Sequence, residues 1–82
     1  MNIVCAESVL KAEEIFSKFG NCTILPDKKI SNKDLRKTDA LIVRSGTTVN
    51  ENLLQKTSIK FVGTATSGTD HIDKKWLKKN KI

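Results

Sequence analysis

The chain has 82 residues, 38% hydrophobic and 29% charged, a composition that fits one small folded domain and excludes a disordered chain. Its net charge of +6 comes almost wholly from lysine, since Arg36 and Arg44 are the only arginines, and this favours a solvated face over a nucleic-acid surface. No apolar run approaches the ~18 residues of a membrane span, and no signal-peptide pattern is present, so we expect a cytoplasmic protein that does not bind membranes. From the lysine-dominated charge, we also expect no binding to nucleic acid.

Strand and helix patterns alternate along the chain. We predict strands over residues 2–5, 22–25, 40–43 and 59–62, and helices over 9–19, 32–37, 51–56 and 74–79. The predicted N-caps of these helices are Ser8, Ser31, Asn50 and Asp73. Alternation at this spacing predicts an α/β fold, with a parallel sheet of about four strands, flanking helices and right-handed crossovers. The chain ends where a further strand is expected, so we interpret the sheet as truncated, with Ile42, Val43, Phe61 and Val62 exposing apolar surface and favouring self-association.

The two cysteines are predicted to be reduced and mostly buried. Cys5 lies at the end of the first predicted strand and Cys22 at the start of the second, so parallel pairing places them at opposite ends of the sheet. That separation exceeds what a disulfide can bridge. Two cysteines and a single histidine, far apart in sequence, give no metal-ligand spacing.

Two polar loops follow the third and fourth predicted strands. The first begins Arg44-Ser45-Gly46, and the second, residues 63–69, contains only Gly, Ala, Ser and Thr. Because the carboxyl ends of parallel strands share one edge of a sheet, the two loops should lie side by side if their strands are neighbours. Small side chains and exposed N–H groups favour an anionic ligand there, and the alternative is a connection that needs small residues only for packing.

These residues also carry a family resemblance. Residues 40–45, 49–54, 59–73 and 76–77, with Arg44-Ser45 and Gly68-Thr69-Asp70-His71 among them, resemble the D-2-hydroxyacid dehydrogenases over the whole chain. The resemblance implies that residues 1–82 are the N-terminal part of a flavodoxin-like substrate domain, with the Rossmann NAD-binding and dimerisation domains absent from this chain. It implies an oxidoreductase that uses NAD, acts on a small phosphorylated hydroxy acid and forms a homodimer.

By motif position, the resemblance assigns substrate contacts to Ser45 and Thr66. It assigns no catalytic, cofactor-binding or metal-binding residue to this chain, because no Gly-x-Gly-x-x-Gly segment is present and the family's catalytic residues come from later segments. The 82 residues alone are therefore predicted to be inactive, as a fragment, a truncated product or a relic. Arg44 suits either an anionic substrate or a bracing role, and we expect His71 to be a structural hydrogen-bonding residue.

Two departures from the family and two rival functions complete the prediction. Relatives usually have an acidic residue followed by Asn after the first strand, where this chain reads Ala6-Glu7-Ser8, and they often have a larger residue at Gly46. The main rival is a free-standing flavodoxin-like binding or receiver-type module without enzymatic activity, and receiver chemistry is disfavoured because Arg44 stands where its phosphoacceptor Asp is expected. The second rival is a small basic nucleic-acid binder, which the lack of a surface combining aromatic residues with arginines disfavours.

Overall fold

The structure is a computed structural model that describes residues 1–64, 71–80 and 82. Its strands are β1 (Asn2–Ala6), β2 (Asn21–Leu25), β3 (Ala40–Val43) and β4 (Phe61–Thr64), and its helices are α1 (Ala12–Phe16), α2 (Asn32–Leu35), α3 (Glu51–Leu54) and α4 (Lys74–Lys79). Short 3₁₀ turns follow α1 at Ser17–Phe19 and β2 at Asp27–Lys29. This is the predicted alternation of strands and helices.

All four strands are parallel and lie in the order β2-β1-β3-β4. The order confirms the predicted α/β sheet and is the order found in flavodoxin-like folds. The chain reverses its direction of travel across the sheet between β1 and β3, so the crevice outside their carboxyl ends is the topological switch point. In open parallel sheets, ligands bind at such a crevice.

The core surrounds the two central strands. Every residue of β3 is buried, as are the last four residues of β1, and Leu35, Leu54 and Leu77 pack from the helices. The expectation that Ile42 and Val43 expose apolar surface is wrong, because both are buried. Val62 is half-buried, and only Phe61 of that set is largely exposed, at 56%.

Three of the four predicted helix starts are confirmed. The Asn50 side chain accepts a hydrogen bond from the Leu53 N–H at 3.1 Å, and Asp73 accepts one from the Trp76 N–H at 3.0 Å. At α2, the Asp34 carboxylate accepts from the N–H and the hydroxyl of Ser31. These contacts are local, which is why a short sequence pattern predicts them.

The predicted start of the first helix is wrong. α1 begins at Ala12, preceded by Lys11 in the left-handed region at φ 57°, and Ser8 does not cap it. Ser8 instead binds Asp27, nineteen residues away. The helix begins later than predicted because the segment between β1 and α1 is held by this distant partner.

The prediction that Cys5 and Cys22 lie at opposite ends of the sheet is also wrong. β1 and β2 pair so that Ile3 is opposite Cys22 and Cys5 is opposite Ile24. Cys5 is therefore only two positions along from Cys22 on the same face, and the two sulfurs are 3.4 Å apart. The register places both cysteines inside their strands, at positions that differ by two residues, and not at opposite ends.

Candidate functional site

A polar network spans the carboxyl ends of β1, β2 and β3. The Asp27 carboxylate, just after β2, accepts from the Ser8 N–H at 3.0 Å and from the Ser8 hydroxyl. The Arg44 guanidinium, just after β3, donates to the Ser8 carbonyl at 3.3 Å. The Thr47 hydroxyl donates to the Asp27 carbonyl at 3.0 Å. These hydrogen bonds link the loops that follow β1, β2 and β3 at the topological switch point.

Asp27 carries the negative charge of this network. The hydrogen bond from the Ser8 side chain holds the pKa of the Asp27 carboxyl below its ordinary value, with smaller help from backbone N–H groups and from the positive charge of Arg44, while burial opposes the shift. The carboxylate is therefore ionised at neutral pH. Its negative charge offsets part of the positive charge of Arg44 in this crevice.

Gly46 is required by the position of Asp27. A Cβ added at Gly46 would lie 2.8 Å from the Asp27 Oδ2 atom and 3.2 Å from its Cβ atom. The departure from the larger residue of relatives is thus matched by a carboxylate that fills the same space. The same loop is also held by Thr47, which is buried and donates its hydroxyl to the Asp27 carbonyl.

Ser45 lies at the outer surface of the network. It is exposed, in a turn between the half-buried Arg44 and the buried Thr47. Within the described part of the chain, its hydroxyl has no hydrogen-bond partner. The turn fixes its backbone while its side chain stays accessible to a ligand.

The second polar loop begins beside the first, as predicted. β3 and β4 are neighbours, and Val43 is opposite Thr64, so both loops leave the sheet at the same level. Thr66, the predicted substrate contact in this loop, lies outside the described residues. The structure therefore brings together the start of the two loops and places Ser45 in one of them.

The two loops meet again at their far ends. Val49 and Ile72 form an isolated parallel bridge, in which the Val49 N–H donates to the His71 carbonyl at 2.7 Å and the Asp73 N–H donates to the Val49 carbonyl at 2.8 Å. The His71 Nε2 atom is 3.2 Å from the Thr64 hydroxyl. These contacts agree with a structural role for His71, since its ring and its backbone both join loop ends.

Asp27 and Ser8 are the site residues that sequence reasoning missed. The sequence pattern predicts Ser8 as a helix N-cap, which is a local interpretation, and it predicts no role for Asp27. A signal was present in the small Gly46 after β3 and the acidic Asp27 after β2, but it becomes informative only when the strand order, with β1 between these two strands, is known.

The described residues form neither a metal site nor a membrane-spanning helix. Among residues 1–64, 71–80 and 82, no group of three or more His, Cys, Asp or Glu side chains is placed to hold a metal ion. In the same residues, no helix has the length and apolar character needed to cross a membrane.

Comparison with known proteins identifies the family. Residues 4–82 match the D-isomer specific 2-hydroxyacid dehydrogenase, catalytic domain. The chain is 50% identical to the erythronate-4-phosphate dehydrogenase of Salmonella arizonae, 49% to that of Salmonella paratyphi B and 45% to that of Wigglesworthia glossinidia brevipalpis, each over all 82 residues. It spans 22% of the length of each of these relatives. The chain therefore belongs to the D-isomer specific 2-hydroxyacid dehydrogenases, a family of oxidoreductases, and matches their catalytic domain.

Proposed function

We propose that this chain forms the N-terminal part of the substrate-binding domain of an erythronate-4-phosphate dehydrogenase. The observation that carries the proposal is the 45–50% identity to proteins of that name over the whole chain. The proposed reaction belongs to pyridoxal 5′-phosphate biosynthesis. It removes a hydride from carbon 2 of 4-phospho-D-erythronate and a proton from its hydroxyl, giving 2-oxo-3-hydroxy-4-phosphobutanoate.

The proposed contribution of this chain is substrate contact from the paired loops. Ser45 offers an exposed hydroxyl at the switch point, which supports a role in binding one of the substrate's anionic groups. We assign the matching role in the second loop to Thr66. Arg44 supports the site mainly by bracing it, because its guanidinium donates to the Ser8 carbonyl.

Hydride acceptance is assigned to NAD, bound by residues outside these 82. The sequence has no Gly-x-Gly-x-x-Gly segment to cradle a pyrophosphate, so we assign no cofactor contact to any residue here. The functional protein is proposed to be a cytoplasmic homodimer in which a Rossmann domain completes the active site. The 82 residues alone should bring about no NADH formation.

A chimera tests this proposal directly. The aligned segment of the Salmonella arizonae relative is replaced by this chain, and NADH formation is followed with 4-phospho-D-erythronate. We expect the chimera to be active and Ser45→Ala to raise its KM about tenfold or more, the effect of losing one hydrogen bond to a charged group. Thr48→Ala, an exposed change in the same loop, is the matched control and should leave KM unchanged.

Two results would contradict the proposal. A folded chimera without activity would mean that these residues no longer form the substrate site, and would favour the free-standing binding module. NADH formation by the 82-residue chain alone would mean that the chain contains a cofactor site that its sequence does not reveal.

A further inference from the structure

The face that β1 and β2 share carries two thiols in contact. Cys5 and Cys22 are both free, and their sulfur atoms are 3.4 Å apart. Neither residue belongs to the network around Asp27, and neither has a role in the proposed function. The pair occupies diagonal positions on neighbouring parallel strands, because Cys22 is opposite Ile3 and Cys5 lies two residues further along.

The two thiols differ in solvent exposure. Cys5 is fully buried, whereas Cys22 is half-buried on β2, an edge strand of the described sheet. Burial, together with the neighbouring Cys22, raises the pKa of the Cys5 thiol to about 12. An external reagent should therefore react at Cys22, and Cys5 should react only with a group already attached to Cys22.

We propose that Cys22 and Cys5 form a reversible intramolecular disulfide by exchange with a low-molecular-weight disulfide. The Cys22 thiolate attacks one sulfur of oxidised glutathione, forming a mixed disulfide and releasing one glutathione thiolate, which takes up the proton lost by Cys22. Cys5 then loses its proton and attacks the Cys22 sulfur as a thiolate, and the second glutathione leaves as a thiolate that takes up this proton. Two protein thiols are oxidised and one glutathione disulfide is reduced to two thiols.

Bond formation requires movement of both the side chains and the backbone. The sulfurs must approach from 3.4 Å to the ~2.05 Å of a disulfide, and the backbone must take up part of the diagonal offset. β2 can supply that movement, because it pairs only with β1 among the described strands and most of its residues are exposed. The product would fasten the edge strand to the core strand β1.

The test exposes the purified protein to oxidised glutathione in native buffer and analyses it by intact mass and by non-reducing peptide mapping. We expect loss of both thiols, no retained glutathione, a peptide pair joined through residues 5 and 22, and recovery of both thiols with dithiothreitol. Cys5→Ser should retain glutathione on Cys22. Cys22→Ser should remain unmodified while folded.

A second measurement compares the folded protein with the urea-unfolded protein, so that the test does not depend on whether the cysteine variants fold. At one fixed ratio of oxidised to reduced glutathione, the ratio of disulfide to dithiol should be at least about tenfold higher in native buffer than in urea, because the fold holds the sulfurs together. The proposal is overturned by a higher ratio in urea. It is also overturned by a persistent glutathione adduct, or by two unreacted thiols, in the unsubstituted native protein.

Discussion

Replacing Gly46 by alanine should destabilise the protein only while Asp27 is present. In the described chain, Gly46 is not among the residues with positive φ, so alanine fits its backbone conformation. Such a change normally stabilises a protein by about 0.4–1 kcal/mol, because it reduces the conformational entropy of the unfolded chain. Here the new Cβ would lie 2.8 Å from the Asp27 Oδ2 atom, so the carboxylate must move away from Ser8.

The magnitude follows from the contact that is lost. A hydrogen bond to a charged group contributes about 1.5–3 kcal/mol, and half-burial of Asp27 puts this one toward the lower end. Subtracting the gain from lower unfolded-state entropy leaves a net destabilisation of about 1 kcal/mol for Gly46→Ala. In an Asp27→Ala background, the same change should be neutral or stabilising by about 0.5 kcal/mol. The expected coupling between the two positions is therefore about 1–1.5 kcal/mol.

Urea unfolding of the four proteins of this double-mutant cycle, followed by circular dichroism, measures the coupling. Thr48→Ala is the control, because it is an exposed position in the same loop and should show no coupling to Asp27. Equal effects of Gly46→Ala with and without Asp27 would refute the reasoning, because they would show that the carboxylate does not occupy the space beside Gly46.

Three further predictions concern charge and capping. Because the pKa of Asp27 is lower in the folded protein, ionised Asp27 stabilises the fold above its unfolded-state pKa, and this stabilisation is lost as pH falls through the lower folded-state pKa. Asp27→Asn should therefore make the free energy of unfolding less sensitive to acid. An unchanged pH profile of that free energy would contradict this prediction. The pKa of Cys5 is instead raised in the folded protein, so the free energy of unfolding should fall as pH rises from 9.0 toward about 12. Cys5→Ala should remove that loss, as measured by urea unfolding at each pH. Asn50→Ala should lower the free energy of unfolding by about 0.5–2 kcal/mol, because it deletes the N-cap of α3. Urea unfolding measures this loss, with Thr48→Ala as the control. A loss smaller than that of the control would show that Asn50 does not cap the helix.

The sequence was informative wherever a structural signal is local. The apolar run at β3 gave that strand its bounds, and the caps at Asn50 and Asp73 marked the starts of α3 and α4. Strand alternation predicted the parallel sheet. The neighbouring position of β3 and β4, on which the paired-loop hypothesis depended, is confirmed by their register.

What could not be predicted depends on partners far apart in sequence. Ser8 has good capping chemistry, but Asp27 competes for its hydroxyl from nineteen residues away, and that competition is invisible without the strand order. The contact between Cys5 and Cys22 was missed because strand direction alone was used to separate them, whereas register decides the distance. Thr66 lies outside the described residues, so its substrate contact stays a prediction.

The bridge between Val49 and Ile72 makes the candidate site sensitive to chain length. The first connection runs from Val43 to Val49 and the second from Thr64 to Ile72, and each is held at both ends by pairing with the other. Substitution can change the chemistry of either connection while its end points stay in place. A change in the length of the first connection is harder to accommodate, because its residues also hold the Arg44 guanidinium at the Ser8 carbonyl and the Thr47 hydroxyl at the Asp27 carbonyl. Diversity in this connection should therefore arise mainly by exchange of side chains at constant length.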